Sequence, residues 1–208
     1  MCGTAVKYRY RRKIAIMKRV ILASGSPRRK ELLALAGIEF DIIVSDVDED
    51  ISVSEPALLV KELAILKAAA VAKEQKQHAL VIGADTVVSI GGNILGKPAS
   101  YADAKRMLSM LSGKAHQVHT GICVIDSRSG VSVSMHQTTN VIFKKLSKKQ
   151  IRDYVATREP LDKAGAYGIQ GIGGRLVKCI IGDYDNVVGM PVNLLLRIFN
   201  EEFDYQIG

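Results

Sequence analysis

The chain has 208 residues, 48% hydrophobic and 24% charged, proportions that exclude a disordered chain and suit one folded domain or two small ones. Its formal net charge of +8 points to an anionic partner: nucleic acid, a membrane surface or a phosphorylated small molecule. Six basic residues and no acid fall within the first eighteen positions, so the rest of the chain carries only +2.

That basic start lacks the apolar stretch of a secretory signal, and it lacks the serines of a transit peptide. Met17 is followed at once by the strand-like run Val20–Ala23, so residues 1–16 read as an extension and 17–208 as a single domain. A helix is expected from Pro27 to about Ala36, with proline in its first turn and Gly37 as its stop. Phe40–Val44 reads as a second strand. A long helix is expected from Ala57 to about Gln77, with Leu59, Leu63, Leu66 and Ala70 on one face.

Leu80–Ile90 is an apolar, β-branched run, hence a buried strand, and Gly91-Gly92-Asn93 turns it into a short hairpin. Ser100 caps a helix to about Leu111, which Gly113 ends. Gln117–Ile125 and Val131–Phe143 read as two long strands joined by a turn at Ser127–Gly130. Ser147 caps a further helix to about Ala156, Leu176–Ile181 reads as a strand, and Pro191 opens a final helix. Strands that follow both helices and hairpins predict an α/β domain with a mixed sheet.

No apolar run reaches the roughly 18 residues needed to cross a bilayer, so no membrane partner is expected. The three cysteines, Cys2, Cys123 and Cys179, are odd in number and form no C-x-x-C, which suggests buried thiols in a reducing, cytoplasmic setting. His116 and His119 lack a Cys or acidic neighbour at metal-ligand spacing and read as structural or surface residues.

Four segments concern phosphate. In Ser24-Gly25-Ser26-Pro27-Arg28-Arg29 a strand turns into a helix whose free N–H groups favour an anion. Two arginines in that first turn oppose the helix dipole, a conflict that a bound polyphosphate resolves and that solvent also tolerates. In Gly83-Ala84-Asp85-Thr86-Val87-Val88 an aspartate interrupts an apolar strand, where it must be paired, hydrated or metal-bound. Gly91–Lys97 matches the spacing G-x-x-x-x-G-K, but Pro98 stands where a P-loop needs Ser or Thr, and only Lys97 is retained as a phosphate candidate. The stretch from Asp162 to Gly174 is dense in glycine, which permits close backbone approach to a ligand, and Gln170 within it can read a base edge.

Together with Gly96-Lys97-Pro98, Lys163 to Gly171 and Asn186-Val187-Val188-Gly189-Met190-Pro191, these segments resemble the Maf family of nucleoside triphosphate pyrophosphatases, in family order from Val20 to about Leu195. The resemblance implies an elongated two-lobed fold with a central cleft, like that of inosine triphosphate pyrophosphatases. It implies hydrolysis between the α and β phosphates to a monophosphate and pyrophosphate, a divalent cation (Mg2+ or Mn2+) and a homodimer. Carried over by motif, Asp85 is the catalytic base. Ser24, Arg28, Arg29, Lys67, Thr86, Lys97 and Gln170 bind substrate, with Arg28, Thr86 and Gln170 affecting substrate choice. Glu49 and Asp85 serve the metal, although Glu49 lies in the acidic run Asp46–Asp50, where a neighbour can take its place. The combination of S-P-R-R, A-D-T and Y-G-I-Q-G resembles the branch acting on dTTP and UTP. The rivals are a nucleic-acid-binding or cell-division module using the basic N-terminus, and a purine, inosine-type pyrophosphatase. A nucleic-acid partner is disfavoured because the cations concentrate in the tail and aromatics make up only 5%.

Overall fold

A computed structural model of the chain describes residues 18–205, so the proposed extension 1–16 lies outside the described residues. Seven strands form one mixed sheet in the order β2-β1-β3-β5-β6-β7, with β4 paired to β3. The strands are β1 (Arg19–Leu22), β2 (Asp41–Ile42), β3 (Ala79–Ile90), β4 (Asn93–Leu95), β5 (Ala115–Asp126), β6 (Ser132–Phe143) and β7 (Val177–Ile181). β1 runs parallel to β2 and β3, because a helix returns the chain after each of β1 and β2. All other pairs are antiparallel. The mixed α/β reading from the sequence therefore holds.

Helices α1 (Pro27–Leu35) and α6 (Val192–Phe203) cover one face of the sheet, burying Leu32, Leu33, Leu195 and Phe199 against Leu22, Ile82 and Val124. Helix α2 (Pro56–Lys73) covers the opposite face, where Ala64, Ala68 and Val71 meet Ile21, Val81 and Cys123. A third cluster fills the far half of the sheet. There α3 (Tyr101–Leu111) and α4 (Lys148–Ala156) pack Leu108, Leu111 and Tyr154 onto Val88, Val118 and Phe143. β3 and β5 run through both halves, and β3 passes from one core to the next between Ala84 and Val88. Asp85 and Thr86 sit at that junction.

The caps fall where local chemistry put them. Ser100 Oγ accepts from Asp103 N at 3.1 Å, and Ser147 forms a reciprocal capping box with Gln150. Gly37 and Gly113 take the positive φ values of 72° and 70° that end α1 and α3.

Several expectations are corrected. The buried face of α2 is Val60, Leu63, Ala64, Lys67, Ala68, Val71 and Ala72, not the stripe of Leu59, Leu63, Leu66 and Ala70. The helix is apolar nearly all round, so its own periodicity could not choose a face. β2 has two paired residues, not five, because it is an exposed edge with a single neighbour. Cys123 is buried as expected, but Cys179 is exposed on the edge strand β7. The glycine-dense stretch, which follows a short 3-10 turn at Glu159–Asp162, contains a second at Ala164–Ala166 and runs into a third at Ile172–Leu176. A five-residue helix, α5 (Tyr184–Val188), was too short to show a period.

Among the described residues no helix is long and apolar enough to cross a membrane.

Candidate active site

Beside the strand junction opens a cleft of about 570 Å3, a size that suits a small-molecule ligand. Its cations come from separate elements: Arg28 and Arg29 from the first turn of α1, Lys67 from α2, Lys97 from the segment after β4, and Lys163 from the glycine-rich segment. Ser24, Thr86, Asp85 and Glu49 share the same walls. Of the residues expected in the site, only Gln170 is absent from the cleft lining. It is exposed, and its Nε2 lies 3.4 Å from Glu31 Oε2.

The centre of the cleft is an ion triad. Lys67 Nζ lies 2.6 Å from Asp85 Oδ1 and 3.0 Å from Glu49 Oε2. Lys67 and Asp85 are largely buried, whereas Glu49 is exposed. A buried lysine is costly unless paired, and here two carboxylates compensate it. Close approach of α2 to the sheet makes this geometry possible. Gly83 and Gly121 lie under the helix, where an added Cβ would overlap the carbonyl oxygens of Ala64 and Val60 respectively. Gly121 also pairs directly with Asp85 across the β3–β5 ladder. The glycine at the head of the Gly83–Val88 motif thus lets the helix carrying Lys67 settle onto the strand carrying Asp85.

Arg29 is a tether as well as a cation. Its Nε donates to Gly189 O at 2.9 Å, its Nη1 to Ser24 Oγ at 3.0 Å and its Nη2 to Thr86 Oγ1 at 3.2 Å. Thr86 Oγ1 in turn lies 3.0 Å from Thr120 Oγ1, which donates to Asn186 O. Arg29 so links β1's exit, β3 and the end of α5. Burial pulls its guanidinium below its ordinary pKa, while Asp85 pulls the other way. Ser24 and Thr86, both expected in the site, thus each spend hydrogen-bonding capacity on Arg29. Arg28 is less committed, meeting Asp162 Oδ2 at 3.5 Å across the cleft.

Gly96 O accepts from Gly165 N at 3.0 Å, which docks the segment bearing Lys97 against the glycine-rich stretch. Gly91 and Gly92 form the β3–β4 turn with φ of 54° and 78°, and Pro98 leads into no helix of a P-loop. His116 and His119 are both buried. His116 Nε2 is 2.9 Å from Tyr167 Oη, and His119 bridges Ser89 and Thr138. Neither reaches the ion triad, in keeping with structural roles.

The residues that could hold a cation are the two acids on Lys67. Among the described residues no cluster of three or more His, Cys, Asp or Glu side chains is poised around a metal position. Two carboxylates fit a hard divalent ion of the magnesium type, whose shell is completed by water and substrate phosphates.

Sequence reasoning missed Tyr154 and Glu159. Glu159 accepts from Tyr154 Oη, Ile172 N and Gly173 N at 2.9, 2.9 and 3.0 Å. The one signal for it was indirect, since a glycine-dense segment needs something polar to fold around.

A family model described as Maf-like protein matches residues 19–202. A protein named dTTP/UTP pyrophosphatase from Bacillus cereus (strain ATCC 10987 / NRS 248) is 51% identical over 182 residues, covering 87% of this chain and 88% of that protein. One of the same name from Bacillus anthracis is 52% identical over 182 residues, covering 87% and 94%. Among solved structures, the Staphylococcus aureus Ham1 protein is 16% identical with a TM-score of 0.48, covering 89% of this chain and 100% of that one.

Proposed function

The chain belongs to the Maf-like protein family, and from that premise we propose that it is a nucleoside triphosphate pyrophosphatase. It hydrolyses dTTP and UTP to the monophosphate and pyrophosphate. Relatives about half identical over most of their length bear that name. The observation that carries the reading is the cleft itself. Cations from four elements line one cleft that also holds a largely buried carboxylate, an arrangement suited to a polyanion that is attacked by water.

Each residue then has a task. Lys67 holds Asp85 through one oxygen, which fixes the carboxylate and leaves the other oxygen to accept a proton from water. Arg28, Lys97 and Lys163 line the walls where phosphate oxygens gain charge as the attacked bond breaks. Arg29, locked by Ser24, Thr86 and Gly189, presents its charge from a fixed position at no reorganisation cost. Glu49 and Asp85 are the residues that would hold a divalent cation, Mg2+ or Mn2+. Bound there, it would screen phosphate charge and polarise the attacked group. A cytoplasmic homodimer completes the proposal, supported by the family resemblance alone.

A panel of pyrimidine and purine triphosphates with Mg2+ or Mn2+, scored for pyrophosphate release, tests the reading. dTTP and UTP should be preferred, and release of orthophosphate instead refutes the assigned bond cleavage. Asp85→Asn should lower turnover at least a hundredfold with the melting temperature little changed, and an active Asp85→Asn enzyme removes Asp85 from the role of base.

A further inference from the structure

Beyond Lys163, the glycine-rich segment lines the cleft with Tyr167, Gly168 and Ile169, which carry no charge. On the nucleotide reading above, phosphates belong on the cations, which leaves this uncharged stretch as a wall for the base, its shape deciding which bases fit. The wall has no regular secondary structure to hold it: it lies between two short 3-10 turns.

Glu159, which the proposed chemistry does not use, holds it instead. Its Oε1 accepts from Gly173 N and Tyr154 Oη, and its Oε2 accepts from Ile172 N. Tyr154 Oη passes the constraint on by accepting from Gly168 N at 3.2 Å. The loop is folded down closely on these side chains. A Cβ on Gly171 would lie 2.6 Å from Glu159 Oε1, one on Gly168 2.6 Å from Lys163 Cε, and one on Gly173 would overlap Tyr154 Oη. Lys163 is itself fixed by donating to Glu159 O at 2.7 Å. Burial raises the pKa of the Glu159 carboxyl, but the two backbone donors and Tyr154 outweigh it and hold the group ionised.

We propose that Glu159, acting with Tyr154, is a positioning residue for base selection: it shapes the Tyr167–Ile169 wall and thereby sets discrimination between pyrimidine and purine triphosphates. The proposal rests on the nucleotide pyrophosphatase reading above. Glu159→Gln keeps the size but sets an NH2 group against a donor from which the carboxylate now accepts. Tyr154→Phe removes only the hydroxyl that joins Glu159 to Gly168.

The test measures kcat and KM for dTTP, UTP, dATP and dGTP in wild type, Glu159→Gln, Tyr154→Phe and the double variant, with melting temperatures and amide hydrogen exchange over residues 167–173. Glu159→Gln is expected to raise KM for dTTP at least fivefold, lower kcat less than threefold, and cut the pyrimidine-to-purine ratio of kcat/KM at least fivefold. Tyr154→Phe should give a smaller change of the same kind, the double variant should add little to Glu159→Gln, and exchange at Ile172 and Gly173 should quicken. A ratio of kcat/KM between two substrates is independent of the active fraction, so a purely structural role lowers the melting temperature and leaves it unmoved. That result in Glu159→Gln, or in Tyr154→Phe should the first variant not fold, overturns the inference while leaving the function intact. A wild-type protein that cleaves none of the four triphosphates overturns the function and the inference together.

Discussion

Replacing Gly83 by alanine tests how the ion triad is assembled. The added Cβ would overlap Ala64 O and lie 2.8 Å from Ala68 N and 2.9 Å from Ala68 Cβ. Carbon atoms in contact sit about 3.5–4.0 Å apart, so α2 must retreat by roughly 1 Å. Overpacking of this kind costs about 1–3 kcal/mol. For a domain of this size that lowers the melting temperature by roughly 2–12 °C. The functional effect should be larger than the loss of stability implies. Ala64 and Ala68 flank Lys67 on the helix, so the retreat carries the ammonium away from Asp85, now 2.6 Å distant. A displacement of about 1 Å at a reacting centre can cost about a hundredfold in rate. Pyrophosphate release from dTTP at saturating substrate, measured well below the melting transition, should fall by that order. If Gly83→Ala keeps turnover within threefold of wild type and melts within a degree of it, the helix is not held against the strand in the way described.

Arg29→Lys should destabilise the fold by about 2 kcal/mol as well as impair turnover, since one ammonium cannot serve Gly189 O, Ser24 and Thr86 together; chemical denaturation checks it, and an unchanged midpoint counts against the tether. His116 is buried beside Phe143 and Tyr167, and burial lowers its pKa from 6.5 to about 4. The unfolded chain therefore binds more protons between those values, so stability falls by about 3 kcal/mol as pH drops from 6.5 to 4; His116→Phe should flatten this slope in urea titrations. Burial pushes the Asp126 carboxyl up, but His78 and the N–H groups of Ser129 and Arg128 more than reverse it, to about 2. Its contribution, about 2 kcal/mol, is complete above about pH 4 and is lost as pH falls toward 2; Asp126→Asn should lose that much at neutral pH and show no further loss from this site in acid.

Much of this molecule was legible locally. The Ser100 and Ser147 caps, the stops at Gly37 and Gly113 and the long strands β3, β5 and β6 all follow from chemistry within a few residues of themselves. The Ser24–Arg29 and Gly83–Val88 motifs could likewise be picked out, because an arginine pair in a helix's first turn and an aspartate in an apolar strand each break a local rule. The face of α2 could not, because a helix apolar on every side contains no directional signal. Which acid of Asp46–Asp50 serves the cleft was also open until Glu49 came to rest on Lys67.

The sequence by itself thus determined the elements, their caps and the residue types that point to phosphate chemistry, since these depend on neighbours along the chain. Only the tertiary structure decided which of those residues meet. Lys67 reaches Asp85 because two glycines on adjacent strands let a helix come down onto the sheet. Gln170, the expected reader of the base, is turned out toward Glu31, while Glu159, outside every segment singled out, gathers the loop that carries it. Such pairings join residues far apart in the chain through packing and hydrogen bonds that exist only once the two halves of the sheet are covered.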